Sequence, residues 1–145
     1  LTIPAGTKII GKETPTSGVT SYLVVTRGSR LEATGTATQP IVFTSEQDHL
    51  RGRTSPVALN ETETGEWGGI VVNGLATINK GTDCELAANV CEREGEGDSG
   101  LYGGDDDTDN SGTFSYMQVR YAGYAFTADN ELNGIDNSKN QNQLC

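Results

Sequence analysis

The sequence is poor in most of the features that announce a familiar class of protein. No apolar run approaches the roughly 20 residues of a bilayer-spanning helix, so no membrane span is expected. Apolar residues at helical spacing are nearly absent. The one helical candidate is CELAANVC (84–91), two turns at most. Histidine is limited to His49, in the polar stretch SEQDHLRGR, and no nucleophile is marked beside it. A Ser-His-Asp or Cys-His arrangement would need that residue. No GxGxxG follows a strand and opens a helix, so no phosphate-binding loop is expected. Bases are few: 10 Lys and Arg against 20 Asp and Glu, a formal net charge of −10. Such a surface repels phosphate backbones and attracts cations. Nucleic-acid binding is therefore not expected.

What is abundant is glycine, 19 residues in 145, together with short β-rich segments. LTI (1–3), TKII (7–10), SYLVVT (21–26), RLEA (30–33), PIVFTS (40–45), GGIVVNG (68–74), ATINK (76–80), FSYMQVRYA (114–122) and YAFT (124–127) are strand-length. Each is bounded by Gly, Pro, Asn or Ser. Their order repeats. LTIPAGTKIIG, SYLVVTRGSRLEATG, GGIVVNGLATINKG and FSYMQVRYAGYAFT each read as strand, glycine turn, strand. Degenerate repeats of this kind build solenoids.

The pattern predicts an all-β fold, a right-handed parallel β-helix of about three to four coils. It occupies residues 1–135 as a single domain, with long corner insertions at about 46–66 and 80–112 and a polar tail at 136–145. The alternative is a β-sandwich or jelly roll. Ile9, Leu23, Val25, Leu31, Ile41, Phe43, Val71 and Val119 are expected to point inward as ladders.

Charge is concentrated. Ten acids and one base, Arg93, fall between Asp83 and Asp109, a local −9. GGDDDTDNSG (103–112) sets Asp105, Asp107, Asp109 and Ser111 at alternate positions, so that a tight loop can turn successive oxygens toward one point. Calcium takes six to eight such ligands. The run lacks the glycine and distal glutamate of an EF-hand, but Asp98 or Glu96 can add oxygens. Calcium is weighed here against a solvated acidic loop. TADNELNGI (127–135) carries Asp129, Asn130, Glu131 and Asn133, read as turn chemistry. Cys84 and Cys91 enclose a small loop that suits a disulfide better than zinc, two free thiols being the other reading. Cys145 has no assigned partner.

Trp67, in GEWGGI, either stacks on a sugar or closes the core against the preceding insertion. Arg120 is the one base in the YMQVRYAG stretch. It reads either as a functional cation or as a strand-face residue paired with a carboxylate.

LTIPAGTKI, LVVTRGSRLEATGTATQPIVFTS, EWGGIVVNG and YGGDDDTDNSGTFSYMQVRYAGYAFTADNELNGI together resemble exported bacterial parallel β-helix repeat proteins of the hypothetical-lipoprotein type, within the pectin-lyase-like superfold. The likeness covers about 1–45 and 66–135. Family members continue with further coils, whereas DNSKNQNQLC (136–145) is polar. The resemblance implies an exported, extracellular or cell-surface protein. Lyases of this superfold commonly use calcium and an Arg or Lys base, which draws attention to Arg120.

The resulting expectation is a non-catalytic structural or adhesive module, stabilised by Ca²⁺ and self-associating end to end into an oligomer or filament. The competing expectation is a carbohydrate-binding or polysaccharide-degrading protein, with Trp67 and Arg120 as contacts.

Overall fold

The computed structural model describes residues 1–12, 20–52, 64–78, 91–127 and 130–137. Among these residues, thirteen short strands, one helix and one 3-10 turn follow each other in chain order. The first pass of the chain holds β1 (Thr2–Ile3), β2 (Lys8–Gly11) and β3 (Tyr22–Val25). The second holds β4 (Leu31–Thr34), β5 (Ile41–Ser45), helix α1 (Glu46–Leu50) and β6 (Gly69–Val72). A long connection then carries the antiparallel pair β7 (Arg93–Glu94) and β8 (Leu101–Tyr102) around the 3-10 turn Glu96–Asp98. The third pass holds β9 (Gly112–Ser115), β10 (Met117–Val119), the antiparallel pair β11 (Ala125–Thr127) and β12 (Asn130–Glu131), and β13 (Ile135–Asn137).

Three parallel sheets result, in the orders β1-β4-β9, β2-β5-β10 and β3-β6-β13. Each takes one strand from each pass. The register makes columns of residues, among them Ile3–Ala33–Phe114, Ile9–Phe43–Val119 and Leu23–Ile70–Ile135. Parallel strands cannot be joined by a tight hairpin, so every neighbour in a sheet is reached only after the chain has visited the other two. The expected strand–turn–strand repeat is therefore a corner between two sheets, and one full pass needs three strands.

The core lies among the three sheets. Ile3, Val25, Leu31, Ala33, Ile41, Phe43, Trp67, Ile70 and Val72 form one buried cluster, with Ile9, Leu23, Met117, Val119 and Ala122 against it. Seven of the eight expected inward residues belong to this set. Val71 does not. It pairs with Val24, while its neighbours Ile70 and Val72 pair with Leu23 and Val25 and share the core with them. Side chains alternate faces along a strand, so Val71 points away from the core. It is nonetheless fully buried, as is all of β6. A strand covered on both faces reads as a continuous apolar run, and such a run hides its phase.

Two further differences have local causes. FSYMQVRYA breaks into β9 and β10 at Tyr116, whose φ is +49°, a left-handed backbone conformation that turns the chain from one sheet into the next. YAFT pairs antiparallel with β12, outside the parallel sheets. The expected two-turn helix CELAANVC lies outside the described residues except for its last residue, Cys91. The helix that is described, α1, occupies part of the 46–66 insertion, where none was expected.

Candidate functional site

The acidic run is organised from its own side chains. The Leu75 N–H donates to Asp109 Oδ2 at 3.0 Å, and the Thr77 N–H donates to Asp107 Oδ1 at 2.9 Å. In the opposite direction the Asp106 N–H donates to the Leu75 carbonyl at 3.1 Å. The loop thus grips residues 75–77, just beyond β6, as an added strand would but with carboxylates replacing carbonyls. Within the loop, Asp106 Oδ1 accepts from the Thr108 N–H and Oγ1, at 2.9 and 2.6 Å. Asn110 Oδ1 accepts from the Gly112 N–H at 2.8 Å, and Ser111 Oγ lies 3.4 Å from Asp109 Oδ2. Asp and Asn side chains that bond backbone two residues on are the usual makers of such turns.

The loop closes onto the third pass through Gly112. A Cβ there would lie 2.0 Å from the Leu31 carbonyl oxygen, and its φ is +123°. No other residue type fits at this junction.

Of the expected calcium ligands, Asp107, Asp109 and Ser111 therefore share one corner, where Asp107 and Asp109 serve the backbone of 75–77. Asp105 is exposed on the same loop. Asp98 belongs to another element, the 3-10 turn Glu96–Asp98, with φ +54°. That turn belongs to the β7–β8 unit packed on the end of β6: Asn73 Nδ2 donates to the Ser99 carbonyl at 2.9 Å and the Gly100 carbonyl at 3.3 Å, and Tyr22 Oη donates to the Gly97 carbonyl at 3.1 Å. Among the described residues, no three His, Cys, Asp or Glu side chains converge as a metal group. Cys91 is buried at 7 % exposure. Cys84, its expected partner, and Cys145 lie outside the described residues.

Arg27 fastens this insertion from the first pass. Its Nη1 pairs with Glu92 and donates to the Gly103 carbonyl at 3.0 Å.

Trp67 is 2 % exposed. Its Nε1 donates to the Arg120 carbonyl at 2.8 Å, it bridges to Ala122, and its ring lies so close to Gly11 that a Cβ there would meet it at 2.8 Å. The indole is core, and in this arrangement it has no face to offer a sugar. Arg120 is 15 % exposed; its Nε and Nη2 donate to Gln118 Oε1, and Nη1 lies 4.0 Å from Asp48 Oδ2.

Asp48 leads to a cluster that the sequence reading missed. It is 1 % exposed, on α1, and its Oδ2 accepts from Thr44 Oγ1 at 2.7 Å. Ser45 caps the helix by accepting from the Asp48 N–H at 3.0 Å, and donates its own proton to Glu66. Glu66 also accepts from Arg51 Nη2 at 2.6 Å. Thr44 and Ser45 are themselves buried. The signal was present: Ser45-Glu46-Gln47-Asp48 places a cap residue three positions before an acid, the signature of a helix start. An insertion with no apolar periodicity concealed it.

Parallel sheets built pass upon pass, with antiparallel excursions at the corners, define a β-helix type of protein. The chain belongs to the pectate-lyase-like β-helix domain family, whose family model matches residues 1–137. No curated protein and no solved structure matches the chain.

Proposed function

We propose that this chain is a non-catalytic β-solenoid module of the cell surface or extracellular space, with a structural or adhesive role. The observation that carries the reading is the state of its charged groups. A catalytic base or acid needs access to substrate and a proton to exchange. Arg120 is instead held between Gln118 and Asp48, whose Oδ2 accepts from Thr44, and Glu66 accepts from Ser45 and Arg51. Asp107 and Asp109 of the acidic run accept from backbone N–H groups. Closure of the three sheets into a right-handed solenoid belongs to the same proposal, supported by the strand order and by family membership. So does export, supported by the resemblance of the repeats to exported β-helix proteins.

Two stabilising elements complete it. Calcium would draw on Asp105, Asp107 and Asp109, with the alternation of oxygens in its favour. A Cys84–Cys91 bridge would close the loop that precedes β7, and the burial of Cys91 favours it.

The second reading, a polysaccharide-binding or polysaccharide-degrading protein, is favoured by the family itself. One experiment separates the two. The protein is incubated with acidic and neutral polysaccharides, with and without calcium, and new reducing ends and unsaturated uronides are measured. The scaffold reading predicts no turnover. Turnover that Arg120→Ala or Asp48→Asn abolishes, in variants that remain folded, would replace it with the enzymatic one.

A further inference from the structure

Where the insertion meets the second pass, two buried oxygens lie close together without a partner. Asn73, directly after β6, is 1 % exposed, and Ser99, directly after the 3-10 turn Glu96–Asp98, is 5 % exposed. Among the described residues, neither Asn73 Oδ1 nor Ser99 Oγ has a hydrogen-bond partner. A polar atom buried unpaired forfeits its bonds to water and gains nothing in return, so each of these two calls for a partner.

The Asn73 amide cannot turn over to find one. Its Nδ2 donates to the Ser99 carbonyl at 2.9 Å and to the Gly100 carbonyl at 3.3 Å. A turned amide would set Oδ1 against those two carbonyl oxygens, acceptor against acceptor. Oδ1 is thereby fixed on the other arm of the amide, and it needs a donor.

Gly95 marks where the two oxygens converge. A Cβ there would lie 2.4 Å from Ser99 Oγ, 3.3 Å from the Gly100 carbonyl oxygen and 3.7 Å from Asn73 Oδ1. Both unpaired atoms therefore flank the bare side of one glycine, yet they do not bond each other. The requirement at position 95 is space and not backbone conformation, since its φ is −76°. Close approach to a ligand is one of the uses of glycine. Both oxygens are neutral, and the NH2 arm of the amide stands beside them, so a hydrogen-bond donor suits the place better than a cation.

We propose that this corner binds one water molecule, which donates to Asn73 Oδ1 and accepts the Ser99 hydroxyl proton. A small molecule with both a donor and an acceptor satisfies the two atoms at once, as buried waters do elsewhere. Together with the two Asn73 N–H bonds it pins the β7–β8 pair of the insertion to the end of β6. The inference is independent of whether the chain turns over a polysaccharide.

The test is a crystal structure of the full chain, grown in chelator with sodium and again with potassium as the salt, at a resolution that shows ordered solvent. The expected result is one peak about 2.7–3.2 Å from both Asn73 Oδ1 and Ser99 Oγ, the same in the two salts. In solution, Ser99→Ala takes away one of the water's partners and leaves Asn73 in place. Hydrogen exchange of the amides between Arg93 and Tyr102 should then quicken by about two- to tenfold, the loss of one ordinary hydrogen bond. A structure with no peak there, with the Ser99 hydroxyl donating straight to Asn73 Oδ1, or with the amide turned over overturns the proposal. So does a peak ringed by six or more oxygens, which marks a cation, or hydrogen exchange unchanged by Ser99→Ala.

Discussion

Removing the Asp109 carboxylate separates two accounts of the acidic loop. As a backbone clamp, Asp109 accepts the Leu75 N–H at 3.0 Å and is half-buried, while Asp107 accepts the exposed Thr77 N–H and Asp105 lies in solvent. A hydrogen bond to a charged acceptor is worth about 1.5–3 kcal/mol, the upper part applying where the abandoned donor is shielded from water. Asp109→Ala should therefore cost about 2 kcal/mol. In a chain of this size that lowers the melting temperature by about 4–8 °C. Asp107→Ala should cost less, because water can take its place on Thr77. Asp105→Ala should fall within about 0.5 kcal/mol of the parent. Asp109→Asn keeps an acceptor oxygen and should recover part of the loss. The assay is thermal unfolding followed by circular dichroism, run with a chelator and again with calcium. The clamp predicts the order Asp109, Asp107, Asp105 in chelator. If all three variants melt with the parent in chelator and lose stability together only in calcium, the carboxylates act through an ion and the clamp is refuted.

Other perturbations probe the rest of the molecule. Gly112→Ala puts a Cβ 2.0 Å from the Leu31 oxygen at a φ of +123° and should cost about 4 kcal/mol or more, read as failure of the third pass to form in denaturant melts. Phe43→Ala empties the centre of the Ile9–Phe43–Val119 column and should cost about 3–5 kcal/mol, a large part of the stability of an ordinary domain. Asp48→Ala strips Thr44 of its acceptor and Arg120 of its counter-charge. It should cost about 2–4 kcal/mol by the same melts, and Arg120→Ala added to it should cost little more, because the two act together.

How much of this could be read beforehand follows from what each residue encodes. Strand-length apolar segments between glycines announced an all-β chain, and alternation within β3, β4 and β5 placed Leu23, Val25, Leu31, Ile41 and Phe43 correctly toward the core. Alternation failed at Gly69–Val72, because both faces of that strand are buried, leaving no polar residue to mark the phase. The corner at Tyr116 was invisible because it uses a tyrosine, not a glycine, in a left-handed conformation. At the acidic run, composition showed that oxygens would gather but not what they would meet. Whether a carboxylate faces an ion or a backbone N–H depends on a segment some thirty residues away, Leu75 to Thr77. The Asp48 cluster depends likewise on Arg120, brought beside it only when the third pass stacks on the second.

The account stands on each sheet taking one strand from each of three passes, and backbone NMR tests that directly. In ¹⁵N-resolved spectra the strand Ile41–Ser45 should show parallel cross-strand contacts on both sides, to Lys8–Gly11 and to Met117–Val119. The strand Gly69–Val72 should likewise contact Tyr22–Val25 and Ile135–Asn137. The short Hα–Hα contacts of antiparallel pairs between these strands, as a β-sandwich would give, would contradict it.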